Sequence, residues 1–267
     1  MRTAVRPSRP RAFFASLRLS LLLFLADPQW VIPATIAPVI FGFAAFELYS
    51  GSGATLVLYA ILGAGMMSMW GQTLYGAGWA TSQDRELGTL EPTLSAPTSY
   101  LWVVFGRIVV NAVTGLVGGL VVFAVVSLAY PHPLPLQRPF EFLLLFAFVL
   151  VTLASVGLVL SAVYVYTRYA GFINNFGEFG FYIITGSMFP VVLLPFWTSP
   201  IALLLPPTWA LDALRYASLP GYVGFRWGFV GDLVGAVATM LVYLTIAGSV
   251  YHRVETHVLT VGNLQEY

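Results

Sequence analysis

Apolar residues fall in long, nearly unbroken blocks along this chain, separated by short polar clusters. A helix crosses the roughly 30 Å hydrocarbon core of a bilayer with about 20 predominantly apolar residues. Six blocks meet that requirement, at Val31 to Tyr49, Thr55 to Ala80, Trp102 to Tyr130, Phe140 to Tyr166, Phe172 to Leu194 and Phe229 to Tyr251. The pattern predicts an all-α membrane protein with six transmembrane helices. Residues 1–28 form a cytoplasmic tail and interfacial helix, and residues 29–267 form the six-span domain.

Two stretches depart from the simple pattern. In residues 12–26, Phe13, Phe14, Leu17, Leu21, Phe24 and Leu25 recur at helical spacing, but Arg18 interrupts the block. No small-residue cleavage pattern follows, and Asp27-Pro28 stops the run. An amphipathic helix lying on the inner leaflet accounts for this better than a signal peptide or a short extra span. Residues 186–228 carry Pro190, Pro195, Pro200, Pro206, Pro207 and Pro220 among apolar and aromatic side chains. Proline breaks helices and removes donors. Short half-helices in a re-entrant or outer hairpin over residues 196–228 are therefore expected between spans five and six, buried against protein. A plain hydrophobic loop, with Trp197 and Trp209 in the aromatic belt, is the simpler alternative.

Composition agrees with the membrane reading. The chain is 58% hydrophobic and 9% charged, where a soluble domain carries about 25% charged residues. Its mean hydropathy is +0.84. Soluble enzymes, disordered hubs and nucleic-acid binders are excluded, and the net charge of +1 implies no strongly acidic or basic partner. Cysteine is absent, which removes disulfides, thiol nucleophiles and zinc–thiolate sites. All 12 cations are Arg. Without Lys there is no Walker A phosphate loop and no Schiff-base chemistry. The chain is therefore not expected to bind ATP by that route, and no cofactor is expected on it.

Arginine also sets the orientation. With the N-terminus inside, Arg2, Arg6, Arg9, Arg11, Arg18, Arg85, Arg107, Arg168 and Arg253 fall on the cytoplasmic side, and Arg138, Arg215 and Arg226 fall outside. Both termini are read as cytoplasmic.

The inner segment between spans two and three, residues 81–100, concentrates charge. Asp84, Arg85, Glu86 and Glu91 lie within eight positions. Thr81 with Asp84 reads as an acidic variant of a capping box. Gly88 and Pro92 limit helix length. The expected element is a helix of one or two turns, with its charges toward the cytoplasm and Leu87 and Leu90 toward the protein.

The string Asp84-Arg85-Glu86-Leu87-Gly88-Thr89-Leu90-Glu91, followed by Ala96-Pro97-Thr98-Ser99 and Gly106-Arg107, resembles the corresponding loop of type-2 ABC exporter permeases. There the pattern is E-R-E-x-G-T-L-E and then A-P-x-S. Asp84 takes a position often held by Glu and keeps its charge. The motif covers about 25 residues; the chain length, six spans, N-terminal helix and broken hairpin extend the resemblance over the whole chain. It implies a permease subunit of the bacterial cytoplasmic membrane that makes and breaks no bonds. A partner ABC ATPase would bind ATP and Mg, a second permease (identical or homologous) would complete the pair, and the cargo would be amphipathic or hydrophobic. By the same resemblance, Asp84, Arg85, Glu86, Gly88, Thr89 and Glu91 form a coupling helix that meets the ATPase.

A charge at a helix centre costs about 2.5–3.5 kcal/mol on insertion scales. Glu47, Arg107, Glu141, Arg168 and Asp232 lie near span ends, from which long side chains reach the interface. Glu178 lies deeper. Asn174 and Glu178 share a helical face, with Asn175 beside them. This face is the candidate substrate path or gate, with a plain packing contact as the alternative. Met66, Met67, Met69 and Trp70 read as packing residues. Gly115 and Gly119 permit close helix approach, within the chain or between chains. An ion-coupled secondary transporter is the main rival function, but it calls for paired carboxylates and an internal repeat. Neither is visible in the sequence. An intramembrane serine protease built on Ser187 lacks a histidine base in any span.

Overall fold

Backbone N–H and C=O groups inside a bilayer must be paired within the protein, which favours helices for apolar segments of this length. The computed structural model describes residues 9–26, 28–49, 51, 53–74, 76, 80–94, 96, 98–130, 134, 136–167, 170–187, 191 and 194–261, and all regular structure among them is helical. The helices are α1 (Arg9–Ala26), α2 (Pro28–Tyr49), α3 (Ala54–Leu74), α4 (Ala80–Glu86), α5 (Leu90–Leu94), α6 (Tyr100–Ala129), α7 (Pro139–Tyr166), α8 (Ala170–Ile184), α9 (Ser199–Leu203), α10 (Pro206–Ser218) and α11 (Gly228–Val261).

Among the described residues, four helices are long and apolar enough to cross a membrane: α3, α6, Pro139–Val165 of α7 and Gly228–Val254 of α11. They correspond to the second, third, fourth and sixth predicted spans. α2 overlaps the first, and its apolar described part is the shorter stretch Ile36–Leu48. The fifth differs from expectation. α8 has 15 residues, about 22 Å at 1.5 Å per residue, which falls short of the core thickness. It ends because Gly186 takes a left-handed φ of 77°. The Gly186 N–H then donates to Ile183 O at 3.0 Å and the Ser187 N–H to Tyr182 O at 3.0 Å, the paired bonds of a Schellman stop. The apolar run to Leu194 hid this signal.

α3 is the central helix, packed against α2, α6, α7 and α8. Met66, Met69 and Trp70 are buried in its core, as the packing reading requires. Gly115 and Gly119 of α6 serve packing within the chain. A Cβ at Gly119 would lie 2.8 Å from Phe146 Cζ, and one at Gly115 would lie 3.0 Å from Met69 Cα. α11 instead exposes Val230, Val234, Val237, Leu241, Val242 and Ile246, a surface suited to lipid.

α1 docks along α6. Ser16 is buried and its hydroxyl donates to Val103 O at 2.6 Å, while Gly106 admits the Phe13–Leu17 backbone of α1. The expected amphipathic division is not the one observed: Phe14, Leu19, Leu21, Leu22, Leu23 and Leu25 are all exposed. The small polar residue faces protein and the leucines face outward, as contact with acyl chains favours.

The proline-rich segment holds two short helices. α9 is one turn. α10 starts at Pro206-Pro207, where the missing donors cost nothing, and it is buried along nearly its whole length against α7 and α11. Trp209 is partly buried there and donates to Leu203 O at 2.8 Å, whereas Trp197 is exposed.

Candidate functional site

The charged loop folds as two helical pieces. α4 is two turns long and stops at Gly88, whose φ is 67°. The Gly88 N–H donates to Arg85 O at 3.1 Å and the Thr89 N–H to Asp84 O at 2.8 Å, a second Schellman stop. Pro92 does not interrupt α5, because it sits in the first turn, where no intrahelical donor is needed.

Two charged side chains of α4 turn toward the bundle. Asp84 Oδ2 pairs with Arg107 Nη1 of α6. Its other oxygen accepts from Thr89 Oγ1 at 3.3 Å. Arg85 donates to Val165 O at 2.6 Å and to Thr167 O at 2.7 Å. These carbonyls lie at the C-terminal end of α7, where a helix has acceptors without partners and a cation is favoured by the dipole. Thr81 Oγ1 lies 3.4 Å from Ser161 Oγ of α7. Thr81 is therefore a buried contact inside α4 rather than its cap, contrary to the capping-box reading. Leu90 and Leu94 of α5 enter a buried cluster with Tyr100, Ile108, Leu158 and Tyr251. Leu87, expected to face inward, is 69% exposed. Gly88 in the left-handed conformation turns the chain immediately after it, so only Leu90 returns to the core.

The six loop positions singled out in the sequence thus divide. Asp84 and Arg85 are tied to α6 and α7. Glu86, Gly88 and Thr89 are exposed, together with Leu87. Glu91 lies on α5, and its side chain is outside the described residues.

Glu178 of α8 accepts a hydrogen bond from the Tyr182 hydroxyl, which also lies 3.2 Å from Met67 O. Gly71 of α3 makes room for the pair: a Cβ there would lie 3.3 Å from both Glu178 Oε1 and Tyr182 Oη. Trp70 and Phe181 stack beside them at 5.1 Å. Asn174 and Asn175 are on α8, with side chains outside the described residues. Arg168 and His132 are also outside them. The Ser187 hydroxyl lies 3.0 Å from that of Thr185.

At the end of the bundle away from α4, the structure assembles a polar cluster that sequence reading missed. Asp232 was placed at a span end within reach of water, and Arg215 was counted as an outer-loop charge; both are buried, at 0% and 2% exposed. Arg215 donates to Gly186 O and reaches Ser187 O at 3.4 Å, with its guanidinium 4.6 Å over the Tyr59 ring. Asp212 accepts from the Tyr222 hydroxyl at 2.5 Å and from the Phe225 N–H at 2.9 Å. Burial pushes the Tyr222 phenol well above its ordinary value, an effect opposed by Arg215 and reinforced by Asp212. A usable signal was the Pro206-Pro207 helix start with Asp212 and Arg215 three residues apart, on one face of α10.

An all-helical bundle with membrane-length apolar helices is the architecture of a multi-pass membrane protein. Residues 11–219 match the ABC-2 type transporter family, and the chain belongs to that family. It is an ABC transporter permease component, which is not itself catalytic. No curated protein matches the chain.

Proposed function

We propose that the chain is the membrane subunit of an exporter that moves an amphipathic or hydrophobic molecule out of the cytoplasm or inner leaflet. ATP hydrolysis on a separate cytoplasmic ABC ATPase drives it, and a second permease completes the assembly. Both termini and the α4 end of the bundle lie on the cytoplasmic side of the cytoplasmic membrane.

The observation that carries this reading is the division of labour in the loop. Glu86, Leu87, Gly88 and Thr89 are exposed, while Asp84 and Arg85 hold the same short helix to α6 and α7. A rigid element tied to two long helices can pass on rigid-body motion of a docked partner. Charge at its free tip gives partner selectivity more than raw affinity. Glu86 is thus a contact, and Asp84 and Arg85 are transmitters. The apolar, aromatic surroundings of Glu178 suit an amphipathic cargo, with Glu178, Asn174 and Asn175 as gate or path residues on α8.

The test is purification in nanodiscs with native mass spectrometry, for the natural sequence and for Glu86→Arg. A complex with two copies of a Walker-A-containing subunit is expected, and its masses distinguish identical from different permeases. Glu86→Arg is expected to lose the ATPase and transport while still inserting. Unchanged association and transport in that variant would refute the docking assignment.

A further inference from the structure

The chain as a whole has a net charge of +1, but α1 is not balanced. It carries Arg9, Arg11 and Arg18 and no acidic residue. All three are exposed. No carboxylate among the described residues pairs with them, since the ion pairs there are Arg107 with Asp84 and Arg138 with Glu141. Nor do Arg9 and Arg11 serve the helix itself, because a cation in the first turn opposes the helix dipole.

α1 has a definite protein side. Phe13, Ser16, Leu17, Ser20 and Phe24 fall on one face at helical spacing and are among its more buried positions. Ser16 bonds to Val103 O of α6, the Phe13 and Phe105 rings lie 5.5 Å apart, and a Cβ at Gly106 would lie 2.8 Å from Phe13 O. Arg11 and Arg18 are two helical turns apart and share the face turned away from α6. Phe14, Leu22 and Leu25 lie on that same face, each more than half exposed. The free surface of α1 therefore interleaves guanidinium groups with large apolar side chains. Its occupant has to accept charge-assisted hydrogen bonds and, a few ångströms away, to surround phenyl and leucyl groups. A nucleic acid or an acidic soluble protein offers nothing to the apolar side chains, and acyl chains alone offer nothing to the arginines.

We infer that this face of α1 is a docking surface for anionic phospholipid, with Arg11 and Arg18 each on a headgroup phosphate and Phe14, Leu22 and Leu25 among the acyl chains. The guanidinium fork matches phosphate with two parallel hydrogen bonds. The two arginines stand about 10 Å apart along the axis, which lets each hold its own headgroup. A zwitterionic headgroup carries a cation beside its phosphate and repels a guanidinium there; a headgroup with net negative charge does not. Anionic lipid is thereby preferred by about fivefold per arginine near the membrane surface. That the leaflet is the cytoplasmic one rests on the orientation proposed above; the headgroup preference does not.

The test places the full-length chain in nanodiscs of equal parts phosphatidylcholine and phosphatidylglycerol. Both leaflets then offer both lipids, so a wrong orientation leaves the result unchanged. A trace of photoreactive phosphatidylglycerol or photoreactive phosphatidylcholine, with the same reactive group beside the glycerol, is activated, and adducts on residues 9–26 are counted by peptide mass spectrometry. The phosphatidylglycerol adduct is expected in excess by about fivefold to about 30-fold, the upper figure being the limit for two arginines. Arg11→Gln with Arg18→Gln should bring the ratio near one. Arg11→Lys with Arg18→Lys keeps the charge and should keep most of the ratio. Arg226→Gln, at an exposed arginine in the connection before α11, should leave it unchanged. The substituted side chains on α1 are exposed, so folding is expected to survive; Arg18→Gln alone, with an intermediate ratio, serves should the double variant fail to fold. Arginines that act only to fix orientation during insertion would give a ratio near one in the natural sequence. That result, or an unchanged ratio in Arg11→Gln with Arg18→Gln, overturns the inference. Exclusion of both lipid probes from residues 9–26, with cross-links from α1 to a second copy or to another protein, overturns it as well.

Discussion

Arg85→Ala isolates one of the ties between α4 and the bundle. The substitution deletes bonds of 2.6 and 2.7 Å to Val165 O and Thr167 O. A hydrogen bond to a charged group contributes about 1.5–3 kcal/mol. The site is only partly buried, so water can take over part of that bonding at the α7 end. A net loss of about 2–3 kcal/mol for the pair is the reasonable estimate. At 1.4 kcal/mol per tenfold, the docked state of α4 then weakens by about 30- to 150-fold. Hydrogen exchange of the 81–86 backbone in nanodiscs measures this. Protection is expected to fall by that factor in Arg85→Ala and by less in Arg85→Lys, which replaces a two-pronged donor with a point charge. Glu86→Ala, at an exposed position, should leave protection unchanged. Equal protection in Arg85→Ala and the natural sequence, within about twofold, would refute the assignment of Arg85 as an anchor, because an exchange change of 2 kcal/mol cannot be that small.

Other consequences are simpler to check. A double-mutant cycle over Asp84→Asn and Arg107→Gln, read by the same exchange experiment, should give a coupling energy of about 0.5–3 kcal/mol; additivity would mean that the pair does not act as one. Gly119→Val forces a side chain into Phe146 and the Gly65 carbonyl, and should cost about 1–3 kcal/mol in reversible denaturation in detergent, whereas a motif that served only to join two chains would leave the isolated subunit equally stable. Glu178→Gln keeps an acceptor for Tyr182 but removes the charge; transport of a cationic amphipath should fall while folding and ATPase association stay the same. Uniform transport of cationic and neutral cargo in that variant would place Glu178 outside the path.

Gly186 and Gly88 show where linear reading succeeds and where it loses the signal. Both take left-handed φ angles and both close Schellman stops. Gly88 stands among charges, so the end of α4 was legible. Gly186 stands inside a long apolar run, and hydropathy carried the predicted span through it to Leu194. Leu87 failed for a related reason: its apolar character suggested burial, but the turn at Gly88 decides which neighbouring leucine meets the core. The motif 84–91 was visible as a unit, yet its internal division was not. Asp84 and Arg85 look no different in sequence from Glu86. They are distinguished by the partners that α6 and α7 bring to them, Arg107 and the last carbonyls of α7.

The sequence alone determined the solvent, the helical character and the candidate loop. Those depend on apolar runs, on the scarcity of charge and on local spacing, all of which are properties of neighbouring residues. Tertiary structure decided which charges are surface charges and which are buried. Arg215 and Asp232 are each ordinary in the sequence; only the packing of α10 and α11 buries them. An ionisable group takes its chemistry from what surrounds it in space, and Arg215 meets the Tyr59 ring of α3 and the Gly186 carbonyl, both remote from it in sequence.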